Sequence, residues 1–288
     1  MDAPVDQIQS RDQALDLLVD VVLSAGPMGR ITDKYFTHSR QIIEAKGDVE
    51  VVYAIFMRRR VIAALEVAKR LVKRLAPEAK VTAFFKDGEI VPSETKLMEI
   101  RGPYSKLSEV ETLVLQKIGI PCVCANNAFE MCRAVPYAAF LDMHARHASG
   151  PEMNLLAAYG ASVGSEAVHR ENPEAKGFVG SSQDLTAALY GAPRGSGTMP
   201  HALVGYTDGD VVQAIKLFAE TMPDVPLLVG LVDYSGFEVT DALKCGQWFY
   251  EDAKLHEQGR ELGVRLDTHG GRFAEGLDYE KSVDTVGA

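Results

Sequence analysis

Residues 226–234 read PLLVGLVDY and residues 263–267 read GVRLD. Each is a short apolar run that closes on an acidic or polar residue. A stretch of helical spacing, 239–257, lies between them. The same grammar begins soon after residue 120, with AAFLD at 138–142 and GFVG at 177–180. Helical spacing fills the gaps near 151–168, 182–190 and 208–221. Alternating strands and helices argue for parallel strands joined by crossover helices. The runs end in Asp142, Gly180, Asp233 and Asp267. Strand C-termini carry the chemistry of an α/β barrel and line the crevice of an open α/β sheet. Polar residues at these ends are therefore the first candidates for function.

The first part of the chain reads differently. RDQALDLLVDVVLS (11–24) has apolar residues at helical spacing, and Gly26-Pro27 stops it. Asp33-Lys34-Tyr35-Phe36 opens a second helix. VEVVYAIFM (49–57) is rich in β-branched and aromatic residues, as a strand is. Helical spacing returns over 60–75 and ends at Pro77. VTAFFKDGEI and ETKLMEIRG are strand-like, with turn chemistry at Asp87-Gly88. Ser108-Glu109-Val110-Glu111 has the form of a capping box and predicts a helix to about Lys117. The expected organisation is an N-terminal α+β domain over 1–118 and an α/β domain over 119–288.

Composition removes several classes of function. The 288 residues are 47% apolar and 24% charged, enough for a sizeable core and unlike a disordered or fibrous chain. With 30 basic and 40 acidic residues the net charge is −10, which disfavours nucleic acid and membrane surfaces as partners. The segment MDAPVDQIQSRDQ is polar and has no signal-peptide character, and no apolar run reaches the ~18 residues of a membrane span. Cys122, Cys124, Cys132 and Cys245 lack the paired spacing of a zinc site. Buried, reduced thiols in a cytoplasmic protein are expected.

Four clusters sit at or just past the expected strand ends. They are Asp142-Met143-His144-Ala145-Arg146-His147, Gly180-Ser181-Ser182-Gln183-Asp184, Gly197-Thr198-Met199-Pro200-His201, and Asp233-Tyr234-Ser235 with Arg265-Leu266-Asp267-Thr268. Guanidinium groups bind phosphate or carboxylate through a fork of donors. Carboxylates hold Mg²⁺ or accept from ribose hydroxyls. The residues alone lead to an anion-handling α/β enzyme.

The motifs resemble those of the nicotinate phosphoribosyltransferase family, of the type II phosphoribosyltransferase group, over most of the chain. Gly29 to Phe36 (GRITDKYF) resembles its Thr-Asp-x-Tyr motif. Gly102-Pro103-Tyr104 resembles its strand-to-helix junction. Asp142 to Arg146 is similar to its D-F-G-x-R motif, with Met143 at the Phe position and His144 at the Gly position. GFVGSSQ (177–183), GTMPH (197–201) and GVRLD (263–267) are similar to three further motifs in the same order.

The resemblance implies an irregular TIM-like α/β barrel behind the N-terminal domain. It implies formation of nicotinate mononucleotide and pyrophosphate from nicotinate and phosphoribosyl pyrophosphate, with ATP as co-substrate through a phosphohistidine at His201. It places Asp267 and Asp233 at the ribose and as ligands of Mg²⁺. It places Arg265 at the nicotinate or pyrophosphate, Thr198 beside the phosphate-binding turn, and Arg146 at an anionic group near the base. Met143, or His144 in its place, would pack on the pyridine ring, and Tyr35 would stack on it from the partner subunit of a homodimer. A hydroxyl at Ser182 would tolerate a carboxylate on the ring; the same Ser182 also suits a helix cap. The family continues beyond the R-x-D strand with phosphate-binding loops, so the barrel is expected to be incomplete at Ala288. Two other expectations compete. One is quinolinate phosphoribosyltransferase, which shares the architecture but lacks the Gly-Thr-x-x-His motif and needs a more basic pocket. The other is a shortened, non-catalytic binding or assembly relative.

Overall fold

The computed structural model describes Ile8 and residues 10–277. They form two compact units, Met1–Ser196 and Gly197–Ala288. The division expected at 118/119 falls inside a continuous helix and not between these units.

The first unit begins with α1 (Arg11–Ser24), whose N-cap Ser10 accepts from the Gln13 amide at 3.2 Å. Two further helices follow, α2 (Met28–Ile31) and α3 (Lys34–Lys46). The α+β expectation is met by β1 (Glu50–Phe56), β2 (Val61–Ile62), α4 (Glu66–Leu75), β3 (Lys80–Ala83), β4 (Ile90–Val91) and β5 (Lys96–Pro103). One antiparallel sheet has the order β1-β5-β3, and β2 pairs with β4. The Asp87-Gly88 turn forms, with Gly88 at φ 86°, a conformation that favours glycine. The helix expected from residue 60 starts at Glu66, because Val61 and Ile62 are drawn into the ladder with β4.

Next come α5 (Tyr104–Leu107) and α6 (Glu111–Ala134). The expected capping box does not form. Ser108 is the C-cap of α5, with φ −54° and ψ −49°, so it lacks the extended conformation of an N-cap. Its Oγ is buried without a partner. The expected helix end near Lys117 is also corrected: α6 runs on through Pro121 to Ala134. Pro121 removes only one N–H, while Leu113, Val114, Ile118, Cys122, Ala125 and Phe129 keep one face buried.

β6 (Ala139–Asp142), α7 (Pro151–Glu171), β7 (Gly177–Ser181) and the short α8 (Asp184–Ala187) complete this unit. β6 and β7 are parallel, with Asp142 opposite Ser181. Gly160 and Gly164 let α7 lie directly on α6; a side chain at either would run into the backbone carbonyl of Pro121 or Ala125. Lys117, 2% exposed, is neutralised by Glu152 at the start of α7.

The second unit contains α9 (His201–Tyr206), α10 (Val211–Thr221), β8 (Leu227–Leu231), α11 (Glu238–Gln247) and β9 (Glu261–Arg265). β8 and β9 are parallel, with Leu231 opposite Arg265. The core holds Val204, Val211, Ile215, Leu228, Leu231 and Phe249. The helix expected over 239–257 stops at Gln247 and continues as a π turn, Trp248–Asp252, and a 3₁₀ turn, Leu255–Gln258. Cys122, Cys132 and Cys245 are buried, and all four thiols are free. No helix among the described residues is long and apolar enough to cross a membrane.

Candidate functional site

In the second unit, β8 and β9 end side by side, and an aspartate lies two positions past each end. Asp233 follows β8, and Asp267 follows β9. Asp233 is 4% exposed, and its Oδ2 lies 3.0 Å from His201 Nε2. His201 is the first residue of α9 and stays half exposed. With Nε2–H donated to Asp233, Nδ1 is left for another group. The Tyr234 ring centroid is 6.3 Å from that of His201.

Arg265, the last residue of β9, forks between two partners. Nη1 donates to Thr198 Oγ1 at 3.0 Å and Nη2 to Asp267 Oδ2 at 2.7 Å. Thr198 stands three residues before His201, so the turn 198–201 links the guanidinium to the imidazole. The structure thus brings Thr198, His201, Asp233, Arg265 and Asp267 to one end of one strand pair. These are the five candidates that the sequence places in this unit.

The chain past β9 supports this end. Glu238, 2% exposed at the start of α11, accepts from Arg272 Nη1 at 2.7 Å, Thr268 Oγ1 at 3.0 Å and the Glu275 amide at 2.8 Å. Burial works to raise the Glu238 carboxyl. The Glu275 amide and its own backbone amide, with Arg272 and Thr268, outweigh burial and hold it at about 2. Arg272 also donates to the Asp233 carbonyl. Neither Glu238 nor Arg272 is distinguishable in the sequence, because they lie 34 residues apart, Glu238 opening α11 and Arg272 in the coil past β9.

The remaining candidates lie in the first unit. Arg146 is exposed on the 3₁₀ turn His144–His147 and makes no ion pair among the described residues. Met143, just after β6, is half-buried. Ser182 donates its amide to the Asp142 carbonyl at 2.8 Å. The cap expected of Ser182 does not form: the N-cap of α8 is Gln183, without a side-chain capping bond, and Ser181 Oγ accepts from the Gln183 amide at 3.2 Å and pairs with Thr186 Oγ1 at 2.6 Å. Tyr35 is 61% exposed, with its Oη 3.3 Å from Asp33 Oδ2. Asp142 is buried and accepts from Tyr190 Oη at 2.9 Å and the His144 amide at 3.0 Å. Burial, with the Asp142 charge beside it, pushes the Tyr190 phenol up, so it remains a donor.

Mg²⁺ on Asp233 and Asp267 has a narrow basis. Among the described residues no group of three or more His, Cys, Asp or Glu side chains could hold a metal ion. Asp267 is paired with Arg265, and Asp233 Oδ1 is a buried acceptor without a partner. Mg²⁺ is commonly held by one or two carboxylates plus substrate phosphates. Asp233 Oδ1 fits one such contact, not a protein cage.

Residues 33–122 match the family model described as quinolinate phosphoribosyl transferase, N-terminal domain. No curated protein matches the chain. A crystal structure of nicotinate-nucleotide pyrophosphorylase from Pyrococcus furiosus superposes with a TM-score of 0.66 at 24% identity, covering 98% of this chain and 64% of that one. The corresponding enzyme of Francisella tularensis gives 0.58 at 12% identity, covering 93% and 88%. Human nicotinic acid phosphoribosyltransferase gives 0.60 at 20%, covering 83% and 61%. The chain thus spans under two thirds of the length of the first and third of these. The expected ATP-coupled nicotinate phosphoribosyltransferase with a phosphohistidine is corrected by these matches: the family model is that of quinolinate phosphoribosyltransferase, and pyrophosphorylases share the fold. The chain has the mixed α/β fold of the type II phosphoribosyltransferases, a TIM-like barrel with an N-terminal domain, and residues 33–122 match the model of that domain.

Proposed function

We propose that the protein is a quinolinate phosphoribosyltransferase, a nicotinate-nucleotide pyrophosphorylase. In this reaction the pyridine nitrogen forms a bond to C1 of the ribose. The bond from C1 to pyrophosphate breaks, the 2-carboxylate leaves as carbon dioxide, and the electron pair left on C2 takes a proton from solvent. The observation that carries the reading is the fork of Arg265 between Thr198 and Asp267, beside the His201–Asp233 pair. It concentrates phosphate donors and carboxylates at one strand-end site, as a sugar pyrophosphate requires. The match at 33–122 supplies the choice of pyridine substrate.

Cleavage at C1 builds positive charge on the ribose. Asp267 and Asp233 are placed to stabilise that charge, and preorganised carboxylates do so without reorganising at the moment of reaction. Arg265 and His201 Nδ1 bind the departing pyrophosphate. Asp233 holds the imidazole in orientation through Nε2. Mg²⁺ entering with the pyrophosphate would meet Asp233 Oδ1 and would neutralise phosphate charge.

Incubating the chain with phosphoribosyl pyrophosphate, Mg²⁺ and either quinolinate or nicotinate, without ATP, tests this reading. Nicotinate mononucleotide and carbon dioxide are expected from quinolinate. Turnover of nicotinate alone, or of neither substrate, contradicts it.

A further inference from the structure

β1 is an edge strand: it pairs with β5 on one side and with no other strand among the described residues. A cavity of about 300 Å³ lies between it and α6. That is the lower end of the size range of small-molecule sites. Val52, Ile55, Ile100, Leu107, Val114 and Leu115 supply apolar walls. Two polar side chains interrupt them, Tyr53 and Glu111, and no Lys, Arg or His lines the space.

Neither polar group is satisfied. Tyr53 Oη is buried and makes no hydrogen bond. Glu111 makes no hydrogen bond or ion pair among the described residues, and burial, with the Asp33 charge nearby, pushes its carboxyl up. Glu111 is half-buried, so its carboxylate has lost part of its hydration without gaining a protein partner, and burying a lone hydroxyl such as that of Tyr53 is costly. Both oxygens accept hydrogen bonds. An ammonium has three donors, no acceptor and the opposite charge, so one such group satisfies both at once. The apolar walls require that it carry a ring or a short hydrocarbon chain.

We propose that this cavity binds a small organic cation with an apolar body, an arylalkyl or alkyl amine, its ammonium held between Glu111 and Tyr53. The site is independent of the proposed reaction, because its negative charge excludes pyridine carboxylates and phosphates.

The probe is phenethylamine, titrated into the full chain with isoleucine, leucine and valine methyl groups labelled for NMR. Saturable shifts are expected at Val52, Ile55, Val114 and Leu115. Neutral 2-phenylethanol should bind at least about tenfold more weakly, and benzoate should shift none of them. Glu111→Gln should weaken the amine at least about tenfold, the effect of losing a charge-assisted bond. Tyr53→Phe should weaken it severalfold. The comparison of amine with alcohol on the unmodified chain stands even where a variant misfolds. Equal binding of benzoate, unchanged affinity in Glu111→Gln, or the absence of saturation overturns the proposal. So do methyl shifts that follow protein dilution but not added amine, which would mean that a second copy covers the cavity.

Discussion

The two parallel strand pairs end in carboxylates that are used in opposite ways. Past β6, Asp142 is closed off: it is itself buried, and Tyr190 Oη and the His144 amide donate to it. Past β8, Asp233 is equally buried, yet one oxygen has no partner and the other holds a half-exposed imidazole. An Asp at a strand end is therefore not in itself a sign of chemistry. The informative feature is what remains unsatisfied after the fold has taken its share of hydrogen bonds.

Activity should separate the two carboxylates most strongly. Asp233→Asn is expected to lower kcat/KM for nucleotide formation at least ~100-fold, about 3 kcal/mol of transition-state stabilisation. The change in Tm should be small, which thermal unfolding would check. Tyr190→Phe should do the reverse. It leaves the buried Asp142 short of a donor and should destabilise the chain by about 1.5–3 kcal/mol in urea unfolding, with activity per folded molecule preserved. A large loss of activity in Tyr190→Phe at normal stability would place Asp142 in the chemistry and erase the contrast.

Acid provides a finer test of the loop that supports Asp233. The Glu238 carboxyl is held at about 2 in the folded chain, from an ordinary value of 4.5. A depressed acid contributes stability that is complete above the ordinary value and lost as pH falls toward the folded one. Glu238→Gln should therefore be less stable than the parent at pH 7, with a gap that narrows between about pH 4.5 and pH 2. A gap independent of pH would show that packing, not charge, is lost. The smallest expected effect is at Glu111. Its carboxyl is raised by burial, so Glu111→Gln should leave stability at pH 7 unchanged or slightly higher. A marked loss would reveal a partner for the charge.

Much of this was legible in the sequence, for identifiable reasons. AAFLD, GFVG, PLLVGLVDY and GVRLD became β6, β7, β8 and β9 because short apolar runs bounded by polar ends have few other uses. Asp233, Arg265 and Asp267 could be named because residues at and just past the ends of parallel strands share one end of the sheet, whereas Thr198 and His201, which follow no strand, were named by the motif resemblance. What failed was local capping and helix length. Ser108 looked like an N-cap but was claimed by α5, and the helix expected to end near Lys117 runs on through Pro121, held by its buried face. Tyr190, Asn154 and Glu238 were invisible because their partners are distant in sequence. Asn154, for example, donates to Gln183 Oε1 at 2.8 Å across 29 residues. The ATP-linked reading failed because motif similarity identified a fold shared by more than one pyridine substrate.

The proposed reaction requires the end of the β8–β9 pair to receive the sugar pyrophosphate. Calorimetric titration of phosphoribosyl pyrophosphate with Mg²⁺ into the parent chain and into Arg265→Ala measures this. Saturable binding to the parent is expected, weakened at least about tenfold by loss of the guanidinium fork. Equal affinity in the two proteins would contradict it.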